Sequence, residues 1–400
     1  MMDAKIKAIL IAEGSAEIDP EMSGSLPASV LASKSTAGPG AGVASFFFES
    51  NGHRVRLDAV DDPEALLKVR RLSQGMAEAD RSMRMVDASQ PQQDVEWKGD
   101  AKAYSRLSLS EPPATSATSE MQSHMESMSK GSCSETDEVA IFYDGRELVR
   151  GRIEPALLHC PGQAYITMSE SCVFDCTFCP VPRLAGRTKS IEEIVEMVDC
   201  AYRTGELHAI ALTSGIERSP EEEVARACTV VKSLTTYNVP IGVSVYPTSD
   251  SSLRLRAAGA VEVKYNVETM DRRIFKRACA DMDLDFVLAA LREAVAIFGR
   301  NRVFSNFIIG LGESDETVKS GVRELAGLGV IPILRALNPH PLRPDLLDTC
   351  PDARRPDADR LLRLAQFERE VLDACGLRAD VAETMCLPCG GCDLVPHRDV

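Results

Sequence analysis

From Gly151 onward the chain alternates strand-like and helix-like segments, and this alternation constrains its fold more than any other feature. Apolar runs expected as strands lie at 164–168, 209–212, 241–245, 261–267, 304–309 and 331–337. Helical patterns fill the gaps. Ser190 to Glu193 reads as a capping box, and Ile191, Ile194, Val195 and Val198 then fall on one helical face. Ser219-Pro220-Glu221-Glu222 supplies a cap, a proline at the first helical position and a capping glutamate. Another helix is expected to begin near Ser314 and to stop before Gly329. Strands separated by helices imply a parallel sheet. Six such units fall short of the eight that close a standard barrel. The expected fold is therefore α/β, a partial (β/α)6 TIM-type barrel, with chemistry at the carboxyl ends of its strands.

The segments around this core divide the chain. Residues 1–72 read as the first part of a small N-terminal β element, with a strand at 6–11 and a glycine-rich bend at 38–42. Strands at 43–48 and 53–57 flank Asn51-Gly52, a strong hairpin signal. Residues 73–137, rich in Ser, Met, Gln and Glu, read as a disordered insertion, and its methionines as solvated linker. Residues 138–150 form a second hairpin around Asp144-Gly145 that completes the β element. Residues 151–345 are the barrel. Residues 346–400 are a C-terminal extension opening with a helix at 357–375, whose apolar side is Leu361, Leu364, Val371 and Leu372 and which Gly376 terminates.

At 400 residues and 44% hydrophobic content the chain can bury a sizeable core. No apolar run is long enough to span a membrane, and the start lacks the apolar region of a signal peptide. A net charge of -15 argues against a nucleic-acid backbone as partner. Thirteen cysteines without an export signal argue against a disulfide framework and place the protein in a reducing cytoplasm. Six of them fall in two tight triads. Cys133, Cys160, Cys200, Cys228, Cys279, Cys350 and Cys375 sit apart, and most read as small buried hydrophobes.

The first triad is Cys172-Val-Phe-Asp-Cys176-Thr-Phe-Cys179, just past the first barrel strand. Three thiolates at this spacing hold three irons of a [4Fe–4S] cube and leave the fourth iron open to a small molecule. Zinc, which takes four tetrahedral ligands as two separated pairs, is the competing account. The second triad, Cys386-Leu-Pro-Cys389-Gly-Gly-Cys392, starts like a ferredoxin motif, but Pro396 stands where the fourth ligand would fall. That ligand must be Cys160, His397, a serine near Ser35, or a non-protein sulfide. A zinc knuckle and an electron-relay cluster are the plainer accounts of this triad. His340, between prolines, reads as structural rather than as a catalytic base.

The first triad, with Phe178 before its last cysteine, resembles the radical S-adenosylmethionine (radical SAM) superfamily over about residues 165–339. The resemblance implies cofactor contacts at Ser214 and Gly215, although Leu212-Thr213-Ser214-Gly215 departs from the family's commoner Gly-Gly-Glu. It implies further contacts from Asn266 and Glu268, from Arg277 with Arg273 as its competitor, and from Gly310 and Gly312 near the adenine. The implied chemistry is reductive cleavage of S-adenosylmethionine on the open iron, followed by hydrogen abstraction from an unactivated carbon.

The run at 35–42, the segment Leu158-His159-Cys160-Pro161 and the terminal cysteines together resemble one component of the two-protein lipoyl synthases, which are related to biotin synthases. That likeness implies an auxiliary [4Fe–4S] cluster on Cys386, Cys389 and Cys392 whose sulfide is inserted into a protein-bound octanoyl chain. It implies as partners an octanoylated lipoate carrier domain, a second radical SAM lipoyl synthase subunit and reduced ferredoxin or flavodoxin, with no nucleic acid and no membrane. Methylation or rearrangement in cofactor assembly is the alternative within the same radical chemistry. An iron–sulfur scaffold or electron carrier is the alternative without it.

Overall fold

The computed structural model describes residues 2–19, 45–62, 64–72 and 138–400. The bend at 38–42, Ser35, Cys133 and the insertion 73–137 lie outside the described residues. Chain order begins with helix α1 (Ala4–Glu13) and strands β1 (Ser15–Ile18), β2 (Ser45–Ser50), β3 (His53–Val60), β4 (Leu67–Arg71), β5 (Val139–Tyr143) and β6 (Arg146–Glu154). The six strands close into a small barrel in the order β1-β3-β2-β6-β5-β4, sealed by parallel pairing of β1 with β3 and with β4. Both hairpin turns fall where Asn51-Gly52 and Asp144-Gly145 put them, each with two residues at positive φ. The second hairpin runs on to Glu154, past the boundary expected at residue 150.

The strand expected at 6–11 is instead part of α1. Its isoleucines favour either state, so the ends decide. Asp3 caps the start by accepting from Ile6 N at 2.8 Å, and Gly14 ends the helix in the left-handed region. Tertiary packing completes the choice. Leu10 and Ile11 join Phe46, Phe48, Leu57, Val69 and Ile141 in one core, which Leu361 and Ala365 close from the C-terminal helix.

The larger layer is a seven-stranded sheet in the order β13-β12-β11-β10-β9-β8-β7. Its strands are β7 (His159–Cys160), β8 (Gln163–Thr167), β9 (Ala209–Thr213), β10 (Ile241–Ser244), β11 (Glu262–Lys264), β12 (Val303–Ile309) and β13 (Ile331–Ala336). Strands β8 to β13 are all parallel and sequential, so the sheet curls into a half-barrel built from the six expected units. The two-residue β7 pairs antiparallel with β8 and was not legible as a strand.

The helices α2 (Ile191–Arg203), α3 (Pro220–Leu234), α4 (Ser251–Ala258), α5 (Arg272–Ala278), α6 (Leu284–Phe298) and α7 (Asp315–Leu328) follow these strands in turn, and α8 (Leu346–Thr349) and α9 (Ala358–Ala374) come after β13. Ser190, Ser219, Ser314 and Asp357 cap α2, α3, α7 and α9, and Ser190 and Glu193 form the full capping box. The main core lies between sheet and helices, with Ile166, Leu212, Val243, Val263 and Phe307 from the strands and Tyr265 just past β11. Helix α9 packs on α1 and α7, and the chain then returns beneath the sheet through a short helix, α10 (Cys386–Cys389). Among the described residues no helix is long and apolar enough to cross a membrane.

Candidate active site

Strand side chains alternate between faces, so every second residue of the half-barrel points into its lumen. Tyr165 and Thr167 of β8, Thr213 of β9, Ser244 of β10, Lys264 of β11, Asn306 and Ile308 of β12 and Arg335 of β13 line one cavity. The lumen is therefore polar while the opposite face is packed with Val, Ile and Leu.

At the carboxyl end of β8 the first triad sits on a loop pinned from several sides. Val173 N donates to Ile216 O at 2.7 Å and Thr177 N to Ala278 O at 2.9 Å. Asp175 N donates to Asp281 Oδ2 at 2.8 Å. The fully buried Arg343 side chain donates to Asp175 Oδ1 at 2.6 Å and to Cys179 O at 3.2 Å. Cys172, Cys176 and Cys179 all line the cavity, with Phe174, Phe178, Tyr246 and Met282 around them. The rings of Phe174 and Tyr246 meet edge to face at 5.1 Å.

Without metal these thiols stay protonated. A hydrogen bond with Cys279, and then burial, holds Cys176 well above the ordinary thiol value. Burial pushes Cys179 up to about 12, and burial also raises Cys172 although the Ile216 and Phe174 amides donate to it. Nothing in the sequence around Cys279, a lone cysteine in a helical pattern, signals its place beside Cys176.

Ser214, Gly215, Asn266 and Glu268 line the same cavity beside the triad. Ser214 Oγ accepts from Ser169 N at 3.1 Å and donates to Glu223 Oε2 at 2.6 Å. Gly215 has a second reason to be glycine: a Cβ there would collide with the Ser171 carbonyl of the triad loop. Glu268 stands at φ 57, unusual for a residue with a Cβ, and its amide and carbonyl bond to β12. It lines the lumen half-buried, and desolvation raises its carboxyl to about 7 against the opposing hydrogen bond from Asn266.

Three expected contacts are not brought here. Arg277 and its competitor Arg273 are exposed on α5, where the helix turns them outward. Gly310 and Gly312 line a separate cleft with Asp352 and Arg354, because the chain leaves β12 in left-handed turns against that segment. Ile308, one step earlier, takes the lumen position. His340 Nδ1 accepts from Leu342 N within its own turn.

The second triad lies at the opposite, amino end of the half-barrel, and the starts of three strands hold it there. Glu262 at the start of β11 accepts from Glu383 N, Thr384 N and Thr384 Oγ1 at 2.9, 2.8 and 2.6 Å. Gln163 at the start of β8 brackets Met385, accepting from its N at 2.8 Å and donating to its O at 3.1 Å. Gly242 on β10 leaves room for Thr384, which a Cβ would strike. The small barrel holds the other side: Arg56 N donates to Gly391 O at 2.7 Å, and Arg54 Nη1 to Cys389 O at 3.2 Å.

Cys386, Cys389 and Cys392 thus line the same cavity as the first triad, with Cys160, Arg56, Lys264 and Arg335 beside them. Lys264 Nζ lies 3.5 Å from Cys386 Sγ. The bond from Cys160 lowers Cys389 to about 7, while burial pushes Cys392 up to about 11. Arg56 and Arg335 could not have been placed here from sequence; a basic residue in a strand carries no signal of which cavity it enters.

Residues 166–325 match the radical SAM superfamily model. The chain carries a radical SAM domain. It is therefore an enzyme domain of a family that uses a [4Fe–4S] cluster and S-adenosylmethionine. No curated protein matches the chain. Among solved structures it is similar to methylornithine synthase (PylB), at 19% identity and TM-score 0.42, over 54% of this chain and 69% of that one. It is similar to HydG, a maturase of the [FeFe]-hydrogenase, at 18% identity and TM-score 0.44, over 52% and 50%. It is also similar to coproporphyrinogen III oxidase (HemN) from Escherichia coli, at 17% identity and TM-score 0.37, over 54% and 53%. The chain spans only about half the length of the latter two.

The residues of the radical SAM domain fit its cluster. Among the described residues no three His, Cys, Asp or Glu side chains are arranged to hold a single metal ion. Cys172, Cys176 and Cys179 lie on one loop and all line the cavity, a spacing that suits three separate corners of a cube. The second triad has an additional mark of an anionic occupant. Arg56 Nη2 and Arg335 Nε beside it have no hydrogen-bond partner, although Arg56 Nη2 lies 3.8 Å from Asp58 Oδ1, Arg335 Nη2 pairs with Asp393 Oδ2 at 2.7 Å, and Asp393 Oδ1 is itself unpartnered.

Proposed function

We propose that this radical SAM domain inserts sulfur at unactivated carbon, with a second cluster on Cys386, Cys389 and Cys392 as the sulfide source. One observation carries the proposal: both triads open into a single lumen, one at each end of the same half-barrel. When bound, the two clusters and S-adenosylmethionine would supply reducing electrons, a carbon-centred radical on the substrate and a nucleophilic sulfide to meet it.

The chain's own residues orient and shield. Thr167, Thr213, Ser244, Asn266 and Asn306 present hydroxyl and amide groups to whatever lies between the triads. Phe174, Phe178, Tyr246 and Met282 wall the first triad from water. Glu268 holds its proton up to about pH 7 and can donate it to a hydrogen-bond acceptor in the lumen.

The proposed substrate is an octanoyl chain on a lipoate carrier domain, sulfurated at the sixth carbon, the eighth, or both. The proposed partners are a second radical SAM lipoyl synthase subunit and a reduced ferredoxin or flavodoxin. Support for this finer reading is the likeness of residues 158–161 and 386–392 to that class, now found side by side. A second reading, methylation or rearrangement of a small anionic cofactor precursor, is favoured by Lys264, Arg335 and Arg56 on the cavity wall.

The test is anaerobic turnover with reductant, S-adenosylmethionine and an octanoylated carrier domain, read by mass spectrometry. Gain of one or two sulfur atoms on the carrier is expected. An added methyl group on an alternative substrate, or deoxyadenosine formation with the protein's sulfide content intact, would move the assignment to the second reading. No cleavage of S-adenosylmethionine at all would sink both.

A further inference from the structure

We propose that Cys160 is the fourth protein ligand of the second iron–sulfur site, closing a four-cysteine set with Cys386, Cys389 and Cys392. This rests on the reading of that triad as a cluster site. Of the four candidates that the sequence offers for this position, three-dimensional placement separates the two described side chains, Cys160 and His397.

Cys160 is 1% exposed and lines the cavity. Cys386, Cys389 and Cys392 line the same cavity. Phe47, Ala156, Cys160 and Cys389 form one small packed cluster. The ribbon of β7 and β8 ties the two chain segments together: Cys160 pairs with Gln163, and Gln163 brackets Met385, the residue before Cys386. The residue preceding Cys160, His159, is held at φ 70. A left-handed residue with a Cβ is strained, so the surrounding contacts must impose this turn.

His397, the described rival, is engaged elsewhere. His397 Nδ1 accepts from Ala379 N at 3.2 Å, its Nε2 lies 3.1 Å from Asp373 Oδ1, and it does not line the cavity. His159 does line it, but its ring rests on Tyr165 at 5.1 Å between centroids. The serine near position 35 lies outside the described residues.

Four thiolates saturate a cube, so this site would have no corner for S-adenosylmethionine. The two ends of the lumen would then differ in kind. The end at Cys172, Cys176 and Cys179 is open to a ligand, and the end at Cys160 is closed by the chain. Ligation by Cys160 would also join the segment before the first barrel strand to the C-terminal segment through metal.

The experiment uses the full chain with Cys172, Cys176 and Cys179 changed to alanine, which leaves only the second site. After anaerobic reconstitution this protein should bind about four irons and show the electron paramagnetic resonance signal of a reduced cube. Adding Cys160→Ser should shift that signal, and Cys160→Ala should lower iron content by roughly half or more. His397→Ala should leave both unchanged. S-adenosylmethionine should not perturb the signal in the parent variant.

Circular dichroism melting checks folding, and the serine variant keeps the side-chain volume if alanine fails. Unchanged iron and an unchanged signal in both Cys160 variants would overturn the proposal, as would a shift on His159→Ala or His397→Ala in its place. No iron in the parent variant would instead bring down the cluster reading itself, a distinct result.

Discussion

Glu268 shows what one residue carries at this site. Its folded-state carboxyl titrates near 7 because the lumen walls desolvate it, whereas in the unfolded chain it titrates near 4.5. Between those values the unfolded chain has released the proton and the folded protein has not. Stability of the metal-free protein therefore falls as pH rises from about 4.5 to 7. The full shift corresponds to roughly 3 kcal/mol, an upper bound because water in the lumen screens the charge. Glu268→Gln should flatten this slope, read as melting temperature against pH. A slope unchanged in the variant would assign it to other groups. Asn266-Val-Glu268 carries the alternating polar pattern of a strand end, although β11 stops at Lys264 and Glu268 lies beyond it. Its left-handed backbone and raised carboxyl were not legible there, since both come from the neighbouring strand and the lumen.

Among elements, the strap at 383–392 is the most informative. It has almost no regular structure of its own, and its path is dictated by Glu262, Gln163, Gly242 and the backbone of β3. Gly242→Ala would drive a methyl group into Thr384 Oγ1. We expect a loss of about 1–3 kcal/mol, as for overpacked cores, and faster amide exchange over 383–392 with the half-barrel itself unchanged. Iron bound at the first triad should be retained, since that triad sits at the other end of the strands. Equal exchange across the strap in variant and parent would show that Gly242 does not hold it. Helix α1 teaches a related lesson: Lys-Ile-Lys-Ala-Ile-Leu-Ile reads as a strand until Asp3 and Gly14 are seen as its caps. Asp3→Ala should cost about 0.5–2 kcal/mol in denaturant unfolding.

At the scale of the whole molecule, the two ends of the chain are joined by a buried ion pair. Lys7 Nζ of α1 lies 2.6 Å from Asp399 Oδ2, and both side chains are fully buried. Asp399 also accepts from Val395 N at 2.7 Å and lies 2.8 Å from His53 Nδ1 on the small barrel. Lys7→Met would leave a buried carboxylate without its cation and should cost about 3–5 kcal/mol. Lys7→Met with Asp399→Leu should recover most of that loss, because replacing both charges with apolar groups is often neutral. A double variant as unstable as the single one would mean that packing, not charge, holds the two ends.

Local signals in the sequence mark the six parallel units, the helix caps at Ser190, Ser219 and Ser314, both hairpins and the spacing of the first triad. Capping boxes, strand periodicity and cysteine spacing act within a few residues, so a linear reading recovers them. Which distant residues share the lumen follows from packing. It brought Cys160 to Cys389 across 229 residues of chain, turned Arg277 to the surface and carried Gly310 and Gly312 into a separate cleft. It also closed the N-terminal strands into a barrel whose Arg54 and Arg56 grip the C-terminal motif. Such contacts depend on strand register and on the curl of the sheet, which are properties of the packed molecule and leave no mark on any short stretch of sequence.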